Sequence, residues 1–277
     1  LRPVRIVTDS TAYIPEEWLK EYRDLITVVP LTVLFGKDTM EDSLDNQAEF
    51  LYRLKHSPQL PTTSQPTPAA FETVFRKLKE AGHDIVGIFI SRKLSGTMTS
   101  AQTAAKNVGE EGIYLLDSGS VAGGLALVVR QALRYAREGI AAKEIVSRLR
   151  NDVEALRLVF VLETLEYLKK GGRIGGASAL IGTLLKIKPV LYVKGQVNVL
   201  DKVRTFKKAV QRMLQELPAN YRGPLGVLHI AASEAAGQLK QQVLEKAPQA
   251  EIHVLEAGPV LATHAGPGAL GITFFAR

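Results

Sequence analysis

The sequence predicts a two-domain α/β protein: a parallel-sheet three-layer α/β/α domain over residues 1–155, then a two-layer mixed-sheet α/β domain over residues 156–277. Three observations predict it. A chain of 277 residues lies where one hydrophobic core commonly gives way to two. The first half repeats three times a sequence of apolar run, small polar loop and amphipathic stretch, the pattern of an open parallel sheet that binds ligands at its carboxyl edge. The second half changes to a hairpin followed by separated strands and helices, the pattern of a mixed sheet with helices on one face.

In order along the chain, Val4 to Asp9 reads as a buried strand ending in polar residues, with Ser10-Thr11 following and a helix starting at Pro15. Ile26 to Phe35 is β-rich but broken by Pro30, so it predicts two short strands or an edge. The acidic stretch Asp38 to Asp45 is expected to cap or precede a helix carrying Phe50, Leu51 and Leu54. Pro58 to Pro68, rich in Pro, Thr and Ser, reads as a loop whose end supplies Thr67 as N-cap and Pro68 as the first helical residue. That helix aligns Phe71, Val74, Phe75 and Leu78 on one stripe and stops at Gly82.

Ile85 to Ile90 is the second strand of the repeat, and Ser91 to Thr97 its loop, followed by a helix of small residues over Met98 to Val108. Ile113 to Leu116 is the third strand; it ends at Asp117-Ser118-Gly119-Ser120 and feeds a helix bearing Leu125, Val128 and Val129. A polar helix near Lys143 to Arg157 leads out of the first domain. Lys188 to Val193 and Gln196 to Leu200 form the expected hairpin, turning at Lys194-Gly195. A helix, a strand at Leu225 to Ile230, another helix, and strands near Ile252 to Leu255 and Gly271 to Phe275 complete the second domain.

Composition removes several functions. The formal charge is +7, but 35 basic against 28 acidic residues, with aromatic residues at 6%, gives neither a basic groove nor the stacking platforms of a nucleic-acid binder. The absence of cysteine excludes disulfides, zinc thiolates and thiol catalysis. Five histidines without His-x-x-x-His or His-Glu-x-x-His spacing make no metal motif, and no cofactor is called for. The longest uncharged apolar stretch, Ile174 to Leu185, is too short to span a bilayer, and the first strand begins almost at residue 1 with no basic-then-apolar leader, which reads as a cytoplasmic chain.

Two hydroxyl-rich segments carry the candidate chemistry. Thr62-Thr63-Ser64-Gln65-Pro66 and Ser95-Gly96-Thr97 each precede a helix, so their hydroxyls and free backbone N–H groups can converge on an anion. Helix capping accounts for either alone; the two together, with Asp117-Ser118, make a shared site an equal reading. Neutral donors suit a carboxylate, whereas a phosphate would recruit a Gly-x-x-x-x-Gly-Lys loop, and neither that run nor Gly-x-Gly-x-x-Gly occurs.

Lys169 to Gly176 joins a helix end to a cationic glycine loop, either a plain interdomain turn or a device that projects Arg173 over the site with Ala177 to Leu185 as an apolar wall. Arg204 reads as a surface charge, or as a contact to ligand or partner. His264 stands among glycines that permit close approach to a ligand. The enzymatic alternative is a serine hydrolase using Ser64, Ser95 or Ser118 with His264 and Asp9 or Asp117, but no Gly-x-Ser-x-Gly elbow is present.

Val7-Thr8-Asp9-Ser10, Thr63-Ser64-Gln65-Pro66, Leu94-Ser95-Gly96-Thr97, Leu116-Asp117-Ser118, Gly171-Gly172-Arg173-Ile174 and His264-Ala265-Gly266-Pro267-Gly268 together resemble the DegV family of fatty-acid-binding proteins, over essentially the whole chain. The resemblance implies one long-chain fatty acid, such as palmitate, stearate or oleate, held between the domains with its tail inside. It implies a carboxylate facing Thr63, Ser64, Ser95 and Gly96 with His264 close by, and it matches Arg173 and Arg204 to basic positions associated with the site and with kinase docking. It further implies a partner kinase subunit with its own ATP site, to which the carboxylate is presented for acyl phosphate formation. A general fatty-acid carrier or lipid sensor without a kinase is the alternative within the same family.

Overall fold

A computed structural model describes residues 2–180 and 187–276 of the protein. The first domain is built on a four-stranded parallel sheet of β1 (Val4–Asp9), β2 (Ile26–Val29), β6 (Asp84–Phe89) and β7 (Ile113–Asp117), in the order β2-β1-β6-β7. Alternation along these strands makes three layers. Val7, Ile85 and Phe89 face α3 (Pro68–Glu80) and α4 (Thr97–Val108), while Ile6, Val86 and Ile88 face α5 (Ala122–Arg137) and α6 (Ala142–Ala155). From β1 the chain crosses to one side for β2 and returns to the other for β6, so the sheet has a topological switch at the carboxyl ends of β1 and β6, where crevices of open α/β sheets lie.

Pro30 separates β2 from β3 (Thr32–Phe35), but the two strands belong to different sheets. Two segments differ from the sequence reading. Asp38–Glu41 is a strand, β4, rather than a helix lead-in, and Thr62–Ser64 inside the expected loop is a strand, β5; both pair antiparallel with β3 in a three-stranded sheet. Three residues between prolines carry no period of their own, and only the register Val33 to Thr63 makes them a strand. Helix α2 (Gln47–His56) packs on this region through Phe50 against Phe35, whereas Trp18 of α1 (Glu16–Glu21) lies against Arg130 and His253.

The sheet of the second domain begins directly after α6 with β8 (Leu156–Val161), a strand the sequence pattern does not predict: the expected helix to Arg157 overlaps its first two residues. Its six strands run β10-β9-β8-β13-β11-β12, comprising β9 (Lys188–Lys194), β10 (Gln196–Val203), β11 (Pro224–His229), β12 (Glu251–Glu256) and β13 (Leu270–Phe275). All neighbours are antiparallel except β11 and β12. Val159, Val161, Leu225 and Val227 pack one face against α8 (Phe206–Leu214) and α9 (Ser233–Lys246). The other face turns toward the first domain and packs on α5, where Gly123 lets the backbone meet Leu228: a Cβ there would lie 2.3 Å from Leu228 Cδ2. No helix among the described residues is long and apolar enough to cross a membrane.

Candidate functional site

Between the two sheets lies a cavity whose empty space, open mouth included, is about 1040 Å³. The period of two in β8 turns Leu158, Phe160 and Leu162 into it while Val159 and Val161 point away. Leu228 and Ile230 after the same logic on β11, Val193 of β9 and Val197 of β10 extend this wall. The opposing wall is Leu31, Ile90, Val121 and Ala122, at the carboxyl edge of the first sheet and at the start of α5. The side is closed by α10 (Pro259–Ala265), through Val260, Leu261 and Ala265. His229 also borders the cavity, but its Nδ1 accepts from the backbone N–H of Ala232 at 3.3 Å, at the start of α9.

The other polar side chains of the lining gather in one place: Thr63, Gln65, Ser95, Arg173 and His264. Thr63 Oγ1 and His264 Nε2 are 2.8 Å apart. Nδ1 of His264 is buried with no partner among the described residues, facing Gly171 so closely that a Cβ at that position would lie 2.3 Å away. An orphaned lone pair is tolerated better than an orphaned N–H, which favours the tautomer protonated at Nε2. In it, Nε2–H donates to Thr63, whose own hydroxyl hydrogen is left to donate into the cavity. Burial, and then the nearby Arg173 guanidinium, push the His264 pKa down to about 4, so the ring is neutral near pH 7.

Arg173, just past the short helix α7 (Glu166–Lys170), is held by backbone carbonyls, Nε donating to Leu94 O at 3.1 Å and Nη1 to Gly171 O at 2.7 Å. Among the described residues no carboxylate pairs with it, so its positive charge is left unneutralised beside the hydroxyls. Ser95 Oγ lies 2.9 Å from Thr97 Oγ1 and accepts the Thr97 N–H at 3.3 Å, a local turn that opens α4 and leaves Ser95 on the cavity surface. The arrangement can therefore fix an acidic head by neutral O–H donors beside one cation, with an apolar enclosure beyond it.

Not every expected site residue lies on this surface. Gly96 stands behind it: a Cβ there would lie 2.1 Å from Gln65 Oε1, so the glycine makes room for the Gln65 amide, which donates to Ser100 Oγ at 3.1 Å. Gln65 itself lines the cavity and was missed as a site residue, although it stands in the hydroxyl-rich segment that signalled the site. Ser64 alternates to the exposed face of β5 and donates to Gln65 O at 3.3 Å. Arg204 is exposed at the end of β10, off the cavity.

The expected wall over Ala177 to Leu185 is described only to Leu180, where Ala177 and Leu180 are buried in the core, and the remainder lies outside the described residues. Asp117 and Ser118 serve their own turn, Asp117 Oδ1 accepting from Gly119 N–H at 2.9 Å and Ser118 Oγ donating to Ser120 O at 3.2 Å. Neither serine of the cavity region is hydrogen-bonded to a histidine among the described residues; the partner of His264 is Thr63. Asp9, the other carboxylate of the hydrolase reading, is buried away from His264 and accepts from Ile90 N–H at 2.8 Å.

The chain has relatives over its full length. The model of a family described as "Uncharacterised protein, DegV family COG1307" matches residues 3–277. A DegV domain-containing protein of Streptomyces coelicolor is 36% identical over 283 residues, covering 100% of this chain and 99% of that one. Among solved structures, a DegV family protein from Thermus thermophilus described by its fatty acid binding superposes with a TM-score of 0.91 at 32% identity, over 100% of both chains. DegV from Bacillus subtilis, described as a fatty acid binding protein, gives 0.87 at 30% identity over 99% of each.

Proposed function

The chain belongs to the DegV family, and from that premise we propose that it binds one long-chain fatty acid, such as palmitate, stearate or oleate, and presents its carboxylate to a partner kinase subunit. The observation that carries the reading is an apolar cavity with all but one of its polar side chains collected at Thr63, Gln65, Ser95, Arg173 and His264. Removing about fourteen methylenes from water offers roughly 11 kcal/mol before ordering and association costs, which is enough to hold the ligand without any strong polar bond. The head group then needs orientation more than affinity. Thr63 and Ser95 hydroxyls would donate to it, Arg173 would balance its charge, and neutral His264 would hold Thr63 in the donating direction.

This division of labour suits presentation. A carboxylate bound by hydroxyls near the cavity mouth keeps its oxygen available to take the terminal phosphoryl group of ATP held on the partner, releasing ADP and leaving an acyl phosphate. Arg204, exposed and without a hydrogen bond or ion pair among the described residues, is proposed to face that partner. The alternative within the same cavity is a carrier or sensor that hands its fatty acid on unmodified.

Native mass spectrometry of protein purified without delipidation tests the binding. A mass increment of a long-chain fatty acid is expected, lost on delipidation and regained when palmitate is added. A clean unliganded mass together with no uptake of palmitate would sink the reading.

A further inference from the structure

The seven-residue helix α10 carries both Val260 and Leu261 of the tail wall and His264 of the polar cluster, yet it cannot cap itself. Its N-cap is Gly258, which has no side chain, and Pro259 has no N–H to satisfy. The first two free N–H groups are met instead from the first domain. Val260 N–H donates to Asp42 Oδ1 at 2.9 Å and Leu261 N–H to the Tyr13 hydroxyl at 3.2 Å, across 218 and 248 residues of sequence. Tyr13 in turn donates to Asp42 Oδ1 at 2.8 Å, and Ser10 donates to Asp42 Oδ2 at 2.7 Å while accepting from the N–H of Leu31, another wall residue, at 2.9 Å.

Two further features single out Tyr13. Its backbone is left-handed, with φ at 43°, a strained state for a bulky residue that persists only where surroundings over-determine it. Its ring also presses on the α10 cap, where a Cβ on Gly258 would lie 2.6 Å from Tyr13 Cε1. At the other end of α10, His264 reaches Thr63 of the same first domain. The helix is therefore a strap across the cavity, fastened at both ends to the domain opposite its own sheet.

We propose that Tyr13 and Asp42 are positioning residues for the binding site: they cap α10 across the domain interface and thereby hold the tail wall and His264 in ligand-binding register. The inference rests on the fatty-acid reading of the cavity. Its consequence is that the hydroxyl of Tyr13 controls how long the ligand stays, although the structure gives Tyr13 no place on the cavity lining.

Tyr13→Phe deletes the hydroxyl and keeps the ring. Protein loaded with palmitate carrying ¹³C at its carboxyl is mixed with excess phosphatidylcholine vesicles, release is timed, and the carboxyl resonance of the bound acid is recorded. Release about fivefold faster than wild type, with a displaced resonance, is expected from the loss of the half-buried bond to Leu261 N–H on the strap together with the bond that orients Asp42. Tyr221→Phe is the matched control, because the Tyr221 hydroxyl also bridges backbone groups, Pro224 O at 3.2 Å and Phe275 N–H at 3.3 Å, but in the second domain off the cavity. It should lower the unfolding midpoint and leave release and resonance unchanged.

A Tyr13→Phe protein that behaves as the control does, less stable but unaltered at the ligand, overturns the proposal. Should wild-type protein take up no palmitate, the ligand reading fails instead, and the strap is judged in unliganded protein from the ¹⁵N resonances of His264. Tyr13→Phe is expected to move them, and unchanged resonances would overturn the positioning role on their own.

Discussion

Two clusters of ionisable side chains flank the cavity, the first fully buried and the second half-open to its mouth, and their bonding differs. On the first-domain side, Asp9 accepts from the N–H of Thr11 at 3.0 Å, from the Thr11 hydroxyl, and from Ile90 N–H at 2.8 Å, while Asp42 accepts from Ser10, Tyr13 and Val260. On the polar side, among the described residues, His264 makes one side-chain hydrogen bond and leaves Nδ1 without a partner, and the Arg173 guanidinium meets only carbonyls. Carboxylates whose oxygens are all engaged by their own chain are fasteners between strand ends and α10. Hydroxyls, imidazole and guanidinium left underpaired at a cavity mouth are, on the proposed fatty-acid reading, the groups a ligand would complete.

The largest expected effect that tests this contrast is on acid stability. Burial raises the Asp9 pKa from 3.8 to about 6, against the lowering effect of its hydrogen bonds, and burial lowers that of His264 from 6.5 to about 4. Between pH 6 and 4 the folded state takes up a proton at Asp9 that the unfolded chain does not, so this group favours folding as pH falls. Over 6.5 to 4 the unfolded chain protonates His264 and the folded state does not, so stability is lost as pH falls. Each displacement is worth about 3 kcal/mol, and the two nearly cancel.

Urea unfolding of unliganded protein between pH 4 and 7 separates them. Relative to wild type, on going from pH 6.5 to 4 Asp9→Asn should lose, and His264→Gln should gain, about 2 kcal/mol of the full displacement. Asp42, whose pKa burial also raises, is common to wild type and His264→Gln, while in Asp9→Asn its repulsion with Asp9, the smallest cause of the Asp9 shift, is also removed. Parallel pH profiles for the three proteins would show that neither group is enclosed as described.

A smaller effect is expected at Ser95. Its hydroxyl shares a local turn with Thr97, so Ser95→Ala should leave unfolding within about 1 kcal/mol of wild type while weakening palmitate retention roughly fivefold, the loss of one head-group donor. Competition between palmitate and a fluorescent fatty acid measures it. Undiminished retention would place Ser95 among the fasteners, as a cap of α4 and nothing more.

The sequence was most legible where physics is local. Thr67 and Pro68 announce α3, whereas the cap of α8, Thr205 accepting from Lys208 N–H at 3.2 Å, is seen only in the structure. The hairpin turns at Gly195, whose φ of 75° suits glycine, and the three strand-loop-helix repeats emerge as β1, β6 and β7. The hydroxyl segments were visible as anion-binding chemistry for the same reason, since a cap and a ligand want the same donors. Strand β5 was not visible, because its pairing to Thr32–Leu34 decides both that it is a strand and that Thr63 faces inward while Ser64 faces out. Nor was β8, where a polar helix runs into Leu156–Val161 without a glycine or proline to mark the change. The bonds from Asp42 and Tyr13 to α10 join residues more than two hundred apart, and nothing in the local pattern of either segment encodes such a meeting.

The finest test compares the two arginines. Arg173 reaches the cavity and is held there by Leu94 and Gly171, whereas Arg204 is exposed just before the Thr205 cap and makes no bond or ion pair among the described residues. Replacing an unpartnered surface side chain alters stability by about 0.5 kcal/mol or less, so Arg204→Ala should leave both the unfolding midpoint and palmitate retention at wild-type values. If it faces a kinase subunit, the loaded variant incubated with that subunit and ATP should yield less acyl phosphate, trapped as the hydroxamate with hydroxylamine. Arg173→Ala should instead weaken palmitate retention before any partner is added, because it removes the cation beside the head group. Loss of palmitate from Arg204→Ala would move that residue to the ligand and erase the distinction between a charge that completes the cavity and one that faces outward from it.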